Sequence, residues 1–165
     1  MQKFLVGALF LLQAVCAYGV DSVSAELGQG SRGVDLWRVG AQWNQESAWL
    51  ARRNWQLYWD ASLGGWYSET GTVLDLGLTP VLRHSRHARG VYFEAGIGGH
   101  LLSDSNVSRN LSLSTRFQFG DQLGIGYRFE RYDVAVSFQH LSNAGIRNPN
   151  PGVNFLLLRL QYHFN

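Results

Sequence analysis

Apolar residues recur at every second position along most of the chain. Val23, Ala25 and Leu27 are separated by polar neighbours, and Trp37, Val39, Ala41 and Trp43 alternate with Arg38, Gly40 and Gln42. Trp55, Leu57, Trp59, Ala61 and Leu63 are interleaved with Gln56, Tyr58, Asp60 and Ser62. The same rhythm returns at Leu74 to Leu82, Val91 to Ile97, Phe117 to Phe129, Val134 to Phe138 and Leu156 to Phe164. A period of two sends alternate side chains to opposite faces of a strand, so the pattern predicts roughly eight β-strands and no long helix.

The second face decides what kind of sheet this is. It carries glycine and charge (Arg38, Asp60, Glu94, Arg128, Arg159), a set small and polar enough for the hydrogen-bonded interior of a narrow barrel. The first face is continuous, apolar and capped by Trp and Tyr, as expected of a band facing lipid between two aromatic girdles. A closed barrel also satisfies every backbone N–H and C=O without water. The expected fold is all-β, an eight-stranded antiparallel outer-membrane barrel, with a soluble lipocalin-like barrel as the alternative.

Composition adds the compartment. The chain has 165 residues, 16% of them charged, with a net charge of +2 and a single lysine, Lys3, which leaves no strongly basic surface for nucleic acid. Lys3 precedes an apolar run, Phe4 to Ala17, too short to span a bilayer as a helix, so residues 1–19 are expected to be a secretory signal and 20–165 the single barrel domain. Cleavage after Ala17 or Gly19 preserves the first strand, whereas cleavage after Ala25 would cut it. Cys16, the one cysteine, leaves with the signal, and the mature chain relies on hydrogen bonds and packing alone. With both termini in the periplasm, the connections 102–114 and 143–153 lie outside the cell. The segment 44–54 is then a long periplasmic turn that the pattern does not explain.

Two polar residues interrupt one apolar row. Val134, Val136, Phe138, His140 and Ser142 share a parity, so His140 and Ser142 face the lipid side near the outer end of their strand. At i and i+2 their Cα atoms are about 6.5 to 7 Å apart. Imidazole at that distance can act as general base for a hydroxyl that is otherwise a poor nucleophile. Asn154 opens the row Leu156, Leu158, Leu160 on the next strand, and its amide oxygen can accept the Nδ1 proton. Asp121, on the apolar parity between Phe119 and Leu123, falls roughly opposite His140 and is a second candidate to orient the ring.

The segment HLSNAGIRNPNPGVNF, with YWD at 58–60, FEAGIG at 93–98 and GDQLGIG at 120–126, resembles the lipid A 3-O-deacylases of the outer membrane. The resemblance implies hydrolysis of the ester at the 3-position of lipid A in the outer leaflet of a Gram-negative outer membrane. It implies Ser142 as nucleophile, His140 as base, and an oxyanion hole from the Asn143 side chain and the Gly145 backbone N–H. It requires no metal or organic cofactor. Position 154 departs from it: the best-known members carry Glu there and this chain has Asn.

Arg147, with Arg109 and Arg32, is a candidate for pairing with lipid A phosphates. The expected partners are lipopolysaccharide and the outer membrane, with a homodimer left open and no nucleic acid. A non-catalytic barrel with a structural, adhesive or lipid-binding role is the competing reading, and Asn154 is what sustains it. His84, His87, His100 and His163 show no metal-ligand spacing.

Overall fold

The computed structural model describes residues 19–164; the expected signal segment, Cys16 included, lies outside the described residues apart from Gly19. Eight long strands close into one antiparallel barrel in the order β1 (Ser22–Gly30), β2 (Asp35–Gln45), β3 (Trp55–Ser68), β4 (Gly71–Ser85), β5 (Gly90–Leu102), β8 (Phe117–Arg128), β9 (Tyr132–Ser142) and β10 (Val153–His163). β10 closes on β1, with Leu160 opposite Ala25 and Leu158 opposite Leu27. A two-stranded hairpin, β6 (Asn106–Ser108) and β7 (Leu111–Ser112), rises from the connection after β5.

Every predicted strand is present and the parity is as expected. Leu27, Ile97 and Leu123 point outward and are 68, 67 and 66% exposed, while Glu26, Arg38, Arg83, Glu94, Asp133 and Arg159 are buried. That is a soluble barrel turned inside out, which removes the lipocalin-like alternative: so continuous an apolar exterior is stable only in lipid. Aromatic pairs ring both ends, Phe117 against Phe119 at one and Tyr132 against Tyr162 at the other.

Ion pairs between strands distant in sequence tie the interior together. Arg83 donates to Asp133 at 2.6 Å and to Glu94 at 3.0 Å. Arg38 donates to Glu26 at 3.1 Å and to Gln139 at 2.9 Å, and Arg159 pairs with Glu94. His100 Nδ1 sits 2.9 Å from Asp75, which also accepts from Trp66 Nε1. Stripping one partner from such a buried pair typically costs about 3–5 kcal/mol, so the network holds the barrel closed as a unit.

The interior is not polar throughout. Near the end where β1 and β9 finish, Leu36, Trp66, Val73, Leu102, Leu141, Phe155 and Leu157 turn inward and join Val107, Leu111 and Leu113 of the β5–β8 connection in an apolar plug. Trp66 packs edge-on against Phe155 with ring centroids 5.0 Å apart. This plug caps the charged network and gives the long loops a floor.

The turn at 44–54 has its explanation in a short helix, α1 (Ala48–Ala51), capped by Ser47 accepting from the Leu50 N–H. Arg53 lies over the Trp49 ring at 4.3 Å. The first and last described residues meet at this end, since Phe164 N–H donates to Asp21 and Asp21 N–H to Gln42. The long connections 103–116 and 143–152 therefore share the opposite end.

Candidate active site

Three strands bring the polar residues to one level of the outer wall. In β9, His140 pairs with Asn154 of β10 on one side and with Asp121 of β8 on the other, and Ser142 pairs with Phe119. His140 and Ser142 are half-buried; Asn154 and Asp121 are exposed. Below them on the same face lie Phe138, Leu123 and Leu156, all at least half exposed.

Asn154 holds the imidazole. Its Oδ1 lies 2.6 Å from His140 Nδ1, so a proton on Nδ1 is donated to Asn154 and Nε2 keeps its lone pair. Asn154 is itself fixed from behind: its backbone N–H donates to Ser31 Oγ at 3.0 Å, from the turn joining β1 to β2. Asp121 shares the level of His140 but makes no hydrogen bond to it among the described residues. The ring-orienting contact therefore belongs to Asn154. Asp121 instead stands at the mouth of a groove.

That groove, about 580 Å³, runs down the outer wall from His140 and Asp121 past Phe138, Leu123, Ile97, Ala95, Leu82 and Pro80. Its shallow floor follows from the sequence. Ala95 sits between Leu82 and Leu123 across the sheet and lacks their bulk. Beside it the β4–β5 ladder skips Thr79 and Pro80, because proline has no N–H to donate.

Gly152 forms the other wall of the imidazole. A Cβ there would stand 2.7 Å from His140 Cε1 and 3.2 Å from the Leu141 carbonyl oxygen, and its φ of +60° already favours glycine. Neither Gly152 nor Ser31 is marked as a site residue by the sequence. Both act through loop geometry, and the only signal for Gly152 is its place in an Asn-Pro-Asn-Pro-Gly turn.

Asn143 is wholly buried and ties the loop together. Its Nδ2 donates to the carbonyls of Leu113 at 2.9 Å and Arg147 at 2.8 Å, and its Oδ1 accepts from the Gly145 N–H at 2.9 Å. The two donors expected to form the oxyanion hole are thus engaged with the protein itself. The turn they build has Ala144 and Gly145 both at positive φ, 52° and 80°, and closes with Ile146 N–H on the Asn143 carbonyl. Arg147 follows the turn and is exposed to solvent. Ser142 Oγ has no hydrogen-bond partner among the described residues, so nothing has to be broken to free it.

Known proteins resemble this chain in sequence and in fold. The family model for lipid A 3-O-deacylase (PagL) matches residues 36–163. The lipid A deacylase PagL of Pseudomonas aeruginosa is 29% identical over 155 residues, covering 90% of this chain and 88% of that protein. A Bordetella bronchiseptica lipid A deacylase PagL is 36% identical over 74 residues, 44% of this chain and 41% of that one. The crystal structure of the outer membrane enzyme PagL superposes with a TM-score of 0.75 at 29% identity, over 86% of this chain and 98% of that one. Neisserial surface protein A, at 13% identity and a TM-score of 0.54, shares the fold alone, over 87% of this chain and 94% of that one. A family model spanning most of the barrel, with a relative and a solved structure matching over nearly its whole length, shows that the chain belongs to the lipid A 3-O-deacylase family.

Proposed function

We propose that this barrel hydrolyses the ester linking an acyl chain to the 3-position of lipid A, with Ser142 as nucleophile and His140 as base. The observation that carries the reading is the 2.6 Å contact from His140 Nδ1 to Asn154, made on the lipid-facing wall beside an apolar groove. Nε2 is then the basic nitrogen on the residue two before Ser142. Ser142 Oγ attacks the ester carbonyl carbon while Nε2 takes its proton. The tetrahedral intermediate collapses, His140 passes the proton to the departing sugar hydroxyl, and the acyl group remains on Ser142. Water, activated by the same Nε2, then releases the fatty acid.

The groove supplies the place for the acyl chain, which lies along Phe138, Leu123, Ala95 and Leu82 with its ester at the His140 end. Asp121, at that end, is placed to accept a hydrogen bond from a polar group near the ester, a role separate from orienting the base. Gly145 N–H and the Asn143 amide serve the oxyanion by exchanging bonds that they now make within the loop. Arg147, exposed on the same loop, is set to meet a phosphate of the substrate headgroup. The loop end faces the outer leaflet, where lipopolysaccharide resides, and the turn end faces the periplasm. The engaged oxyanion donors and the amide at position 154 favour the second reading, a barrel that keeps the fold without the activity.

Mass spectrometry of lipid A after incubation with the purified protein in detergent separates the two. Loss of one 3-hydroxyacyl chain is expected; lipid A unchanged across several acylation patterns ends the deacylase reading. Gly152→Ala is expected to slow turnover by about 10- to 100-fold, because a methyl group against Cε1 displaces the imidazole from the position that its Asn154 contact fixes. The barrel should still fold, as judged by its heat-modifiable gel mobility. Unchanged kcat in this variant would mean that the ring position is not limiting.

A further inference from the structure

The end of the barrel farthest from His140 carries chemistry that ester hydrolysis does not use. Between the turns at 86–89 and 129–131 lies a cavity of about 550 Å³, lined by Arg83, Arg89, Arg128, Arg131 and His87, with Glu130 as its one carboxylate. The turn that builds it reads RHSRHARG over residues 83–90, three arginines and two histidines without an acidic residue. We propose that this cavity binds a phosphate group carried by a larger molecule.

Its guanidinium groups differ in how far they are already engaged. Arg83, deep in the floor, is held by Glu94 and Asp133. Arg89 meets Glu130 at 2.7 Å, but both side chains are about two-thirds exposed, so that pair is weak and easily exchanged. Arg128 reaches a carboxylate only through Nε, 3.5 Å from Asp133, which leaves its two terminal nitrogens to donate. Arg131 makes no salt bridge among the described residues.

A second observation comes from the wall. Tyr92, 1% exposed, is one of the residues lining the cavity, and its buried hydroxyl has no hydrogen-bond partner among the described residues. Its ring is pinned, with the Arg83 guanidinium stacked at 4.0 Å and Gly126 beneath, where a Cβ would run into it. A buried donor without an acceptor is costly, and an anion bound here would relieve it.

The donors converging here exceed what one carboxylate can use. A carboxylate is satisfied by a single bidentate arginine, whereas a phosphate monoester or diester offers more acceptor oxygens and up to two charges for several guanidinium groups. The walled cleft also focuses the field of these cations on whatever enters. The phosphate can come from the headgroup of an anionic phospholipid in the adjoining leaflet or from a phosphorylated solute.

The test uses the full barrel in neutral detergent, titrated with glycerol 3-phosphate by calorimetry. In parallel, barrels in nanodiscs of mixed phosphatidylglycerol and phosphatidylcholine are released and their retained lipid is read by native mass spectrometry. Saturable glycerol 3-phosphate binding without lipid preference supports a soluble source; selective retention of phosphatidylglycerol supports the headgroup. In either case Arg89→Gln with Arg131→Gln should weaken binding about tenfold or more, and so should Tyr92→Phe, while Arg116→Gln at the opposite end leaves it unchanged. Absence of both signals overturns the proposal. So does binding that survives the double substitution, binding indifferent to Tyr92→Phe, or binding lost with Arg116→Gln.

Discussion

Ser142→Ala is expected to lower lipid A deacylation by roughly 10³- to 10⁶-fold while leaving the barrel intact. The substitution removes one oxygen atom, on a half-buried residue of the outer wall, that makes no hydrogen bond among the described residues, so no hydrogen bond of the folded state is lost with it. A fall of 10³ corresponds to about 4 kcal/mol of transition-state stabilisation, far more than a rim hydroxyl contributes to substrate binding. The loss should appear in kcat with KM little changed, because the groove and Arg147 are untouched. His140→Ala should reach the same floor, and the double substitution should fall no further, since nucleophile and base act as one unit. Equal deacylation by wild type and Ser142→Ala would remove Ser142 from the mechanism. Equal absence in both would return the protein to a non-catalytic role.

Much of this site is legible in the chain because period two fixes both strand and face. Once His140 shares the parity of Val136 and Phe138, its place on the wall follows, and the short turn after Arg128 brings Asp121 opposite it. The polar interior is legible for the same reason at Arg38, Asp60, Glu94 and Arg159. The apolar plug is hidden. Inward Phe155 and Leu157 are flanked by outward Leu156 and Leu158, so the run loses its alternation and gives no sign of which leucine faces which way. Loop contacts are hidden more deeply. Ser31 is 123 residues from Asn154, and the Asn143 amide is spent on carbonyls of Leu113 and Arg147, partners that no local pattern announces. The functional consequence is specific. Spacing brings out the His140–Ser142 pair, but only the folded loop shows that the Asn143 amide and the Gly145 N–H are engaged within it, and only the His140 Nδ1–Asn154 contact shows which of the two ladder neighbours holds the ring.

Asn154→Asp is expected to raise kcat by about tenfold or more, with the roughly 10⁴-fold cost of the opposite exchange in a serine triad as its ceiling. The isosteric change keeps the reach that now places Oδ1 2.6 Å from His140 Nδ1, and leaves the backbone N–H on Ser31 as it is. Two things change. An amide can turn its Nδ2 toward the ring, which makes Nδ1 the acceptor, puts the proton on Nε2 and disables the base; a carboxylate accepts with either oxygen and permits only the productive tautomer. The carboxylate also adds a charge that stabilises the imidazolium formed as Ser142 attacks, and that pairing offsets the cost of a carboxylate on the lipid-facing wall. Glu at the same position should help less. Its extra methylene pushes the ring toward the Gly152 backbone, which lies so near that a Cβ built there would stand 2.7 Å from Cε1. Steady-state kinetics of the two variants on one lipid A preparation decide the matter: Asp above Glu above Asn is expected. Asp at or below the wild-type rate would show that Asn154 serves only to hold β10 against β9 and that the imidazole is oriented by another group.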